Sequence, residues 1–301
     1  MKLLHDTKRK FRQNELTWRY VLNLQPAMAQ MFGGGNLSAE SRRVLAELKQ
    51  HGIAVTTSDA LLGNGSLYQE LAVAIEQLER EQWPVIDAAR PRAGDASAIG
   101  EKTFLHFLLG DKPAVDSESV FARFALQEQV LGISNAYLGL SSQLRYYNVW
   151  HTLANTGPAR ESQLWHRDRD DFLTCKLFLY LNDVDEGAGP FTYAKGTHPK
   201  GHNHAEPPFT LEGTVKRSDD SQMASVAPKD TWVKATGRKG TIIFADTRGY
   251  HKGGEARTSD RLMYTCMFLS PASEVREMMG ETRRVKLPEN RAAARALSRY
   301  V

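Results

Sequence analysis

The hydrophobic pattern divides this chain into two textures. Up to about residue 136 apolar positions recur at helical spacing, and beyond Leu138 they crowd into short runs separated by turn residues. The stretch SAESRRVLAELKQHG, from Ser38 to Gly52, sets Val44, Leu45 and Leu48 on one face between a serine N-cap and a glycine stop, which predicts a short helix. GIAVTTSDAL then reads as a brief β-branched strand. Leu67, Leu71, Ile75 and Leu78 lay one apolar stripe along a second helix, as core rather than a cofactor contact. Val120, Phe124, Leu131 and Ile133 predict another helix from Ser117 to about Ser134. Residues 89–102 gather Pro, Gly, Ala and charge without periodicity, the signature of a mobile surface loop. Gly33-Gly34-Gly35 is followed by neither a phosphate-loop lysine nor a dinucleotide fingerprint and reads as a flexible turn.

In the second texture the runs LRYYNVWHTL, FLTCKLFLYLNDV, GPFTYA, TWVKA, GTIIFAD and RLMYTCMFL predict many short strands, hence a sandwich or barrel. Residues 197–230 interrupt them with a long polar excursion, a lid or a disordered segment. His198, His202 and His204 in it lack ligand spacing to a carboxylate or cysteine and read as solvent-exposed. From Ser273 the tail is expected to end as a basic helix through Arg291 and Arg295. The expectation is one domain over residues 1–301, mainly β with flanking helices: a mostly helical part over 1–136, a barrel core over 137–272 with its lid near 197–230, and a basic tail over 273–301.

On FLTCKLFLYL, Cys175, Leu177, Leu179 and Leu181 share a wholly apolar face that should meet the helices. Thr174, Lys176, Phe178 and Tyr180 are thereby sent toward the barrel interior. The phase of Tyr146, Tyr147 and Asn148 on the preceding strand is left open.

Composition changes this picture little. Charged residues make up 25% and hydrophobic ones 41% of the 301 residues, ordinary globular usage. The net charge of +4 is spread along the chain, with basic clusters at Lys8-Arg9-Lys10 and Arg283-Arg284, which fits an anionic small substrate or a solvated face better than nucleic acid. Cys175 and Cys266 each lie in an apolar run and read as small buried hydrophobes, so a reducing, cytoplasmic setting is expected. No run approaches a membrane span.

The candidate chemistry lies in Trp165-His166-Arg167-Asp168. In an extended segment His166 and Asp168 face one way and Arg167 the other, so one short segment delivers two ligands. His251, after the strand GTIIFAD and a tight turn, can supply a third. Two histidines and a carboxylate are the facial set of non-haem Fe(II) oxygenases, which leaves positions open for a co-substrate and dioxygen. Trp165 reads as core packing or a pocket wall.

With GPFTYAKGTHPKG, IIFADTRGYHKGG and RLMYTCMFL downstream, the chain from roughly Leu45 to Pro271 resembles the phytanoyl-CoA dioxygenase family of Fe(II)- and 2-oxoglutarate-dependent oxygenases. The resemblance implies a double-stranded β-helix, the jelly-roll or cupin-like core, with N-terminal helices. It implies that His166, Asp168 and His251 hold iron, with O2 and 2-oxoglutarate as co-substrates and ascorbate as a supporting reductant. It also implies that an arginine past the distal histidine pairs with the far carboxylate of 2-oxoglutarate. Arg261 is preferred to Arg257 because it opens an apolar strand and a planar guanidinium suits bidentate binding. Lys176 either contacts 2-oxoglutarate or an anionic substrate, or buries its stem with its ammonium at the barrel mouth.

The chain departs from the family in having Ala194-Lys195-Gly196-Thr197-His198 where PGSH is common, which leaves the turn intact. Asp170 and Asp171 are rivals to Asp168, but Asp170, four residues from His166, would need a different local backbone. Hydroxylation of a C–H bond of a small, anionic or natural-product molecule, with release of succinate and carbon dioxide, is the expected activity. Asp168 argues against a halogenase; desaturation, epimerisation and ring formation use the same ligands. The competing classes are a zinc hydrolase on the same His/Asp/His ligands and a non-catalytic cupin-like binding protein. A carrier-protein-bound substrate is compatible with the basic tail, and oligomeric state is not readable.

Overall fold

The computed structural model describes residues 11–12, 14–33, 35–63, 65–95, 101–212, 215–280 and 282–301. The Lys8-Arg9-Lys10 cluster, Gly34, residues 96–100 of the expected mobile loop and residues 213–214 of the expected lid lie outside that set. Helices run over Leu24–Gly33 (α1), Ala39–His51 (α2), Ser58–Leu62 (α3), Ser66–Ala89 (α4), Val120–Ala125 (α5), Glu128–Leu138 (α6), Asp220–Ala224 (α7) and Arg291–Leu297 (α8). Strands run over Ile53–Thr57 (β1), Leu105–Phe107 (β2), Val115–Asp116 (β3), Gln143–Thr152 (β4), Cys175–Tyr180 (β5), Phe191–Ala194 (β6), Thr210–Glu212 (β7), Val215–Arg217 (β8), Trp232–Lys234 (β9), Thr241–Ala245 (β10), His251–Gly253 (β11), Arg261–Leu269 (β12) and Thr282–Arg284 (β13).

The signals that predict α2 are the ones that bound it. The Ser38 side chain accepts from the Ser41 amide, and Gly52 ends the helix in the left-handed region, φ +79°, that favours glycine. Along α4 the predicted stripe buries Leu71 and Ile75 completely, each contributing roughly 2 kcal/mol by removal from water. The single helix expected from Ser117 to Ser134 is instead two, α5 and α6. Gln127 adopts extended backbone, ψ 144°, between them, and each helix buries its own face, Phe124 on one and Val130, Leu131 and Ile133 on the other.

Two sheets form the double-stranded β-helix. The larger has the strand order β1-β10-β5-β12-β4-β2 and the smaller β11-β6-β9. Both edges of the larger sheet, β1 and β2, come from the mostly helical N-terminal part. β12, buried at every position, sits between β4 and β5. The alternation on β5 sorts two cores. Cys175, Leu177, Leu179 and Leu181 join Val44, Leu48, Leu71 and Phe124 beneath the helices, whereas Phe178 and Tyr180 join Phe191, Tyr193, Ile243 and Met263 between the sheets. Cys175 and Cys266 are buried and unpaired with each other. Among the described residues no helix is long and apolar enough to cross a membrane.

The excursion over 197–230 is built rather than featureless: β7 and β8 pair as a hairpin, and α7 carries a capping box between Asp219 and Gln222. His198 corrects the expectation of exposure. It is fully buried, with Nε2 3.1 Å from the Lys49 carbonyl, because the segment tucks against the end of α2. His202 and His204 are exposed.

Candidate metal centre

His166 sits just outside the smaller sheet and His251 opens β11, and the two are joined by a reciprocal backbone pair. Each amide donates to the other's carbonyl at 3.0 Å. This places the imidazole centroids 4.3 Å apart. The turn that delivers His251 is closed by the Gly249 amide donating to the Asp246 carbonyl. A Cβ at Gly249 would overlap the Tyr193 hydroxyl. Thr197 accepts from the Tyr250 amide at 2.8 Å, so the Gly196-Thr197-His198 turn props the loop before the histidine.

His166, Asp168 and His251 each offer a ligand atom, all within 4.8 Å of one another. His166 Nε2 lies 4.0 Å from Asp168 Oδ1 and His251 Nε2 3.8 Å from Asp168 Oδ2, too far for hydrogen bonds. The Nδ1 atoms are committed instead: to the Leu164 carbonyl at 2.8 Å for His166 and to the Gly249 carbonyl at 3.0 Å for His251. A carbonyl only accepts, so each Nδ1 carries the proton and each Nε2 turns a lone pair toward Asp168.

Electrostatics prepare the same state. Burial pushes both imidazoles below their ordinary value, that of His166 further because His251 is beside it. Burial pushes Asp168 up, but the Lys176 ammonium and the two histidines outweigh it and hold the carboxyl well below the usual range. Lys176 Nζ donates to Asp168 Oδ2 at 2.5 Å. Two neutral imidazoles and an ionised carboxylate are the protonation states a divalent metal requires.

The three side chains line a cavity of about 110 Å³ whose walls include Trp150, Thr152, Lys176, Phe178, Phe191 and Arg261. Arg261 is buried, donates from Nη2 to Thr152 Oγ1 at 3.4 Å, and leaves Nε and Nη1 without partners. No carboxylate among the described residues pairs with it. Arg257 lies elsewhere, on the carbonyls of Asn155 and Gly157 and on Glu255. Asp171 accepts from Trp18, Phe172 and Ser270, and Asp170 Oδ2 stands 3.9 Å from Lys176. Trp165 is core, buried against Trp232 at 4.7 Å between centroids.

Sequence reasoning had not singled out Trp150, Thr152, Phe191 or Lys102 as cavity walls. Trp150 and Thr152, two residues apart on β4, both face the cavity. Tyr146 instead accepts from Trp150 Nε1 at 3.1 Å.

A jelly roll with an open two-histidine, one-carboxylate cluster has the ligand arrangement of the class of non-haem Fe(II) oxygenases. Within it the chain belongs to the phytanoyl-CoA dioxygenase (PhyH) family, whose model matches residues 76–263. Among solved structures, EctD from S. alaskensis with bound Fe aligns with a TM-score of 0.52 at 17% identity, covering 82% of each chain. EctD from S. alaskensis with 2-oxoglutarate and 5-hydroxyectoine aligns with a TM-score of 0.52 at 15% identity, covering 87% of each. Both likenesses show the fold. No curated protein matches the chain significantly.

Proposed function

We propose that His166, Asp168 and His251 hold Fe(II), that Arg261 anchors the far carboxylate of 2-oxoglutarate, and that the enzyme hydroxylates a C–H bond of a small molecule. Bound iron and 2-oxoglutarate together supply the reduction of dioxygen that drives this oxidation, with succinate and carbon dioxide released. The observation that carries the reading is Arg261: a buried guanidinium with two unpartnered nitrogens in the cavity that the three ligand side chains share. A buried cation without a counter-charge is costly, and a dicarboxylate reaching from the metal would supply one.

The other residues have supporting roles. Lys176 holds one carboxylate oxygen of Asp168 and keeps the group ionised. Phe178, Phe191, Trp150 and Met263 give the cavity an apolar wall that excludes water from the reacting centre. Fe(II) dependence is tested by metal analysis after anaerobic purification and by succinate release. Arg261→Gln should raise the KM for 2-oxoglutarate by about 10- to 100-fold, the worth of charge-assisted hydrogen bonds, with iron content unchanged. A zinc-only protein, or a KM indifferent to Arg261, overturns the reading; a zinc hydrolase would leave Arg261 without a ligand.

A further inference from the structure

A second chamber, of about 530 Å³, meets the first at Lys102, His166 and Asp168 and runs outward along the surface. Its wall is far more basic than the chain as a whole: Lys102, Arg167, Arg169, Lys216, Arg217 and Arg248, against Asp168, Asp170 and Glu206. Some of this charge is spent internally. Lys216 pairs with Glu206 and Arg217 with Glu161, and Asp168 with Lys176. Among the described residues, Lys102, Arg167, Arg169 and Arg248 have no carboxylate at ion-pair distance.

Two of these arginines are built into place. Arg167 lies over the Tyr250 ring at 3.8 Å and donates to the Thr197 carbonyl at 3.1 Å. Arg248 donates to the Asp168 carbonyl at 3.3 Å. Each leaves a buried Nε without a partner. Both share the chamber wall with Arg169. Arg169 stands exposed at the rim and bonds to nothing among the described residues. Holding like charges together beside the metal ligands costs stability, and a multivalent anion would relieve it.

We propose that this outer chamber binds the phosphate group of a phosphorylated small-molecule substrate through Arg167, Arg169 and Arg248, setting the rest of that molecule at the metal centre. A carboxylate would neutralise one of these cations. A phosphate monoester brings close to two negative charges and three acceptor oxygens, and arginine forks bind it two-pronged. The proposal rests on the functional reading above for the position of the oxidised bond, while the anion site stands on the chamber itself.

Calorimetric titration of phenyl phosphate, benzoate and benzyl alcohol into the full chain, loaded with Fe(II) and 2-oxoglutarate under nitrogen, tests it. Phenyl phosphate should bind at least about tenfold more tightly than benzoate, benzyl alcohol should not bind detectably, and added salt should weaken the phosphate probe most. Arg169→Gln, which removes no hydrogen bond or ion pair among the described residues, should erase most of that preference, and Arg169→Lys should restore part of it. Equal affinities, a benzoate preference, no binding of any probe, or a preference that survives both Arg169→Gln and Arg248→Gln overturns the proposal. Affinity for 2-oxoglutarate, read in the same samples, separates the two ideas. Its loss with the phosphate preference intact sinks the functional reading alone, and the reverse sinks the anion site alone.

Discussion

Two buried histidine clusters are made from the same residue types and do opposite things. At the metal centre His166 and His251 spend Nδ1 on carbonyls and keep Nε2 3.8–4.0 Å from the Asp168 carboxylate between them. On β4, His151 faces a carboxylate with each ring nitrogen: Nε2 hydrogen-bonds Asp260 at 2.9 Å and Nδ1 stands at ion-pair distance, 3.0 Å, from Glu79, while Asp260 also takes a two-pronged bond from Arg90. Burial pulls the His151 pKa down, but the bonds to Asp260 and Glu79 raise it above its ordinary value. One cluster presents lone pairs and the other favours the imidazolium. What separates a metal site from a salt-bridge network is whether an imidazole nitrogen is left without a proton or a partner.

The sharpest way to break the comparison is Asp168→Ala. Substrate-coupled succinate formation should fall below detection and iron content should drop with it. Unchanged turnover would remove Asp168 from the ligand set. Next in size, Asp260→Ala strips partners from His151, Arg90 and the Ala154 amide. We expect a loss of about 3 kcal/mol, read as a melting temperature lower by several degrees, with iron retained. A variant that instead lost its metal would merge the two clusters into one.

A smaller effect is pH-dependent. Because the folded pKa of His151 is raised, the stability it contributes is fully present below the unfolded value near 6.5 and is lost as pH rises through the folded one. The melting-temperature gap between the native chain and His151→Gln should therefore narrow as pH rises above the unfolded value. A gap that widens would mean that His151 is neutral. Smallest of all, His202→Ala and His204→Ala should each change stability by less than about 0.5 kcal/mol, whereas His198→Ala should cost roughly 1–2 kcal/mol, by denaturant unfolding.

Local signals were legible and tertiary ones were not. The caps at Ser38 and Gly52, the stripe through Leu71 and Ile75, and the alternation of Cys175, Leu177 and Leu179 against Phe178 and Tyr180 are all written in spacing. The pairing of His166 with Asp168 is likewise a matter of alternation. The break between α5 and α6 carries no Pro or Gly at Leu126-Gln127 to announce it, and it arises because the two helices pack on different neighbours. Burial of His198 depends on the Lys49 carbonyl, far away in sequence. The partners of Lys176 and the outward-facing arginines emerge only when the strands are closed into a barrel.

The reciprocal backbone pair between His166 and His251 ties coordination to strand alignment. In a paired strand a slip of one residue turns every side chain to the opposite face, so misaligned chains would send Arg167 or Lys252 where an imidazole belongs. If these side chains hold the ion as proposed, metal uptake would inspect the finished barrel: only a chain that has zipped this seam correctly would load it.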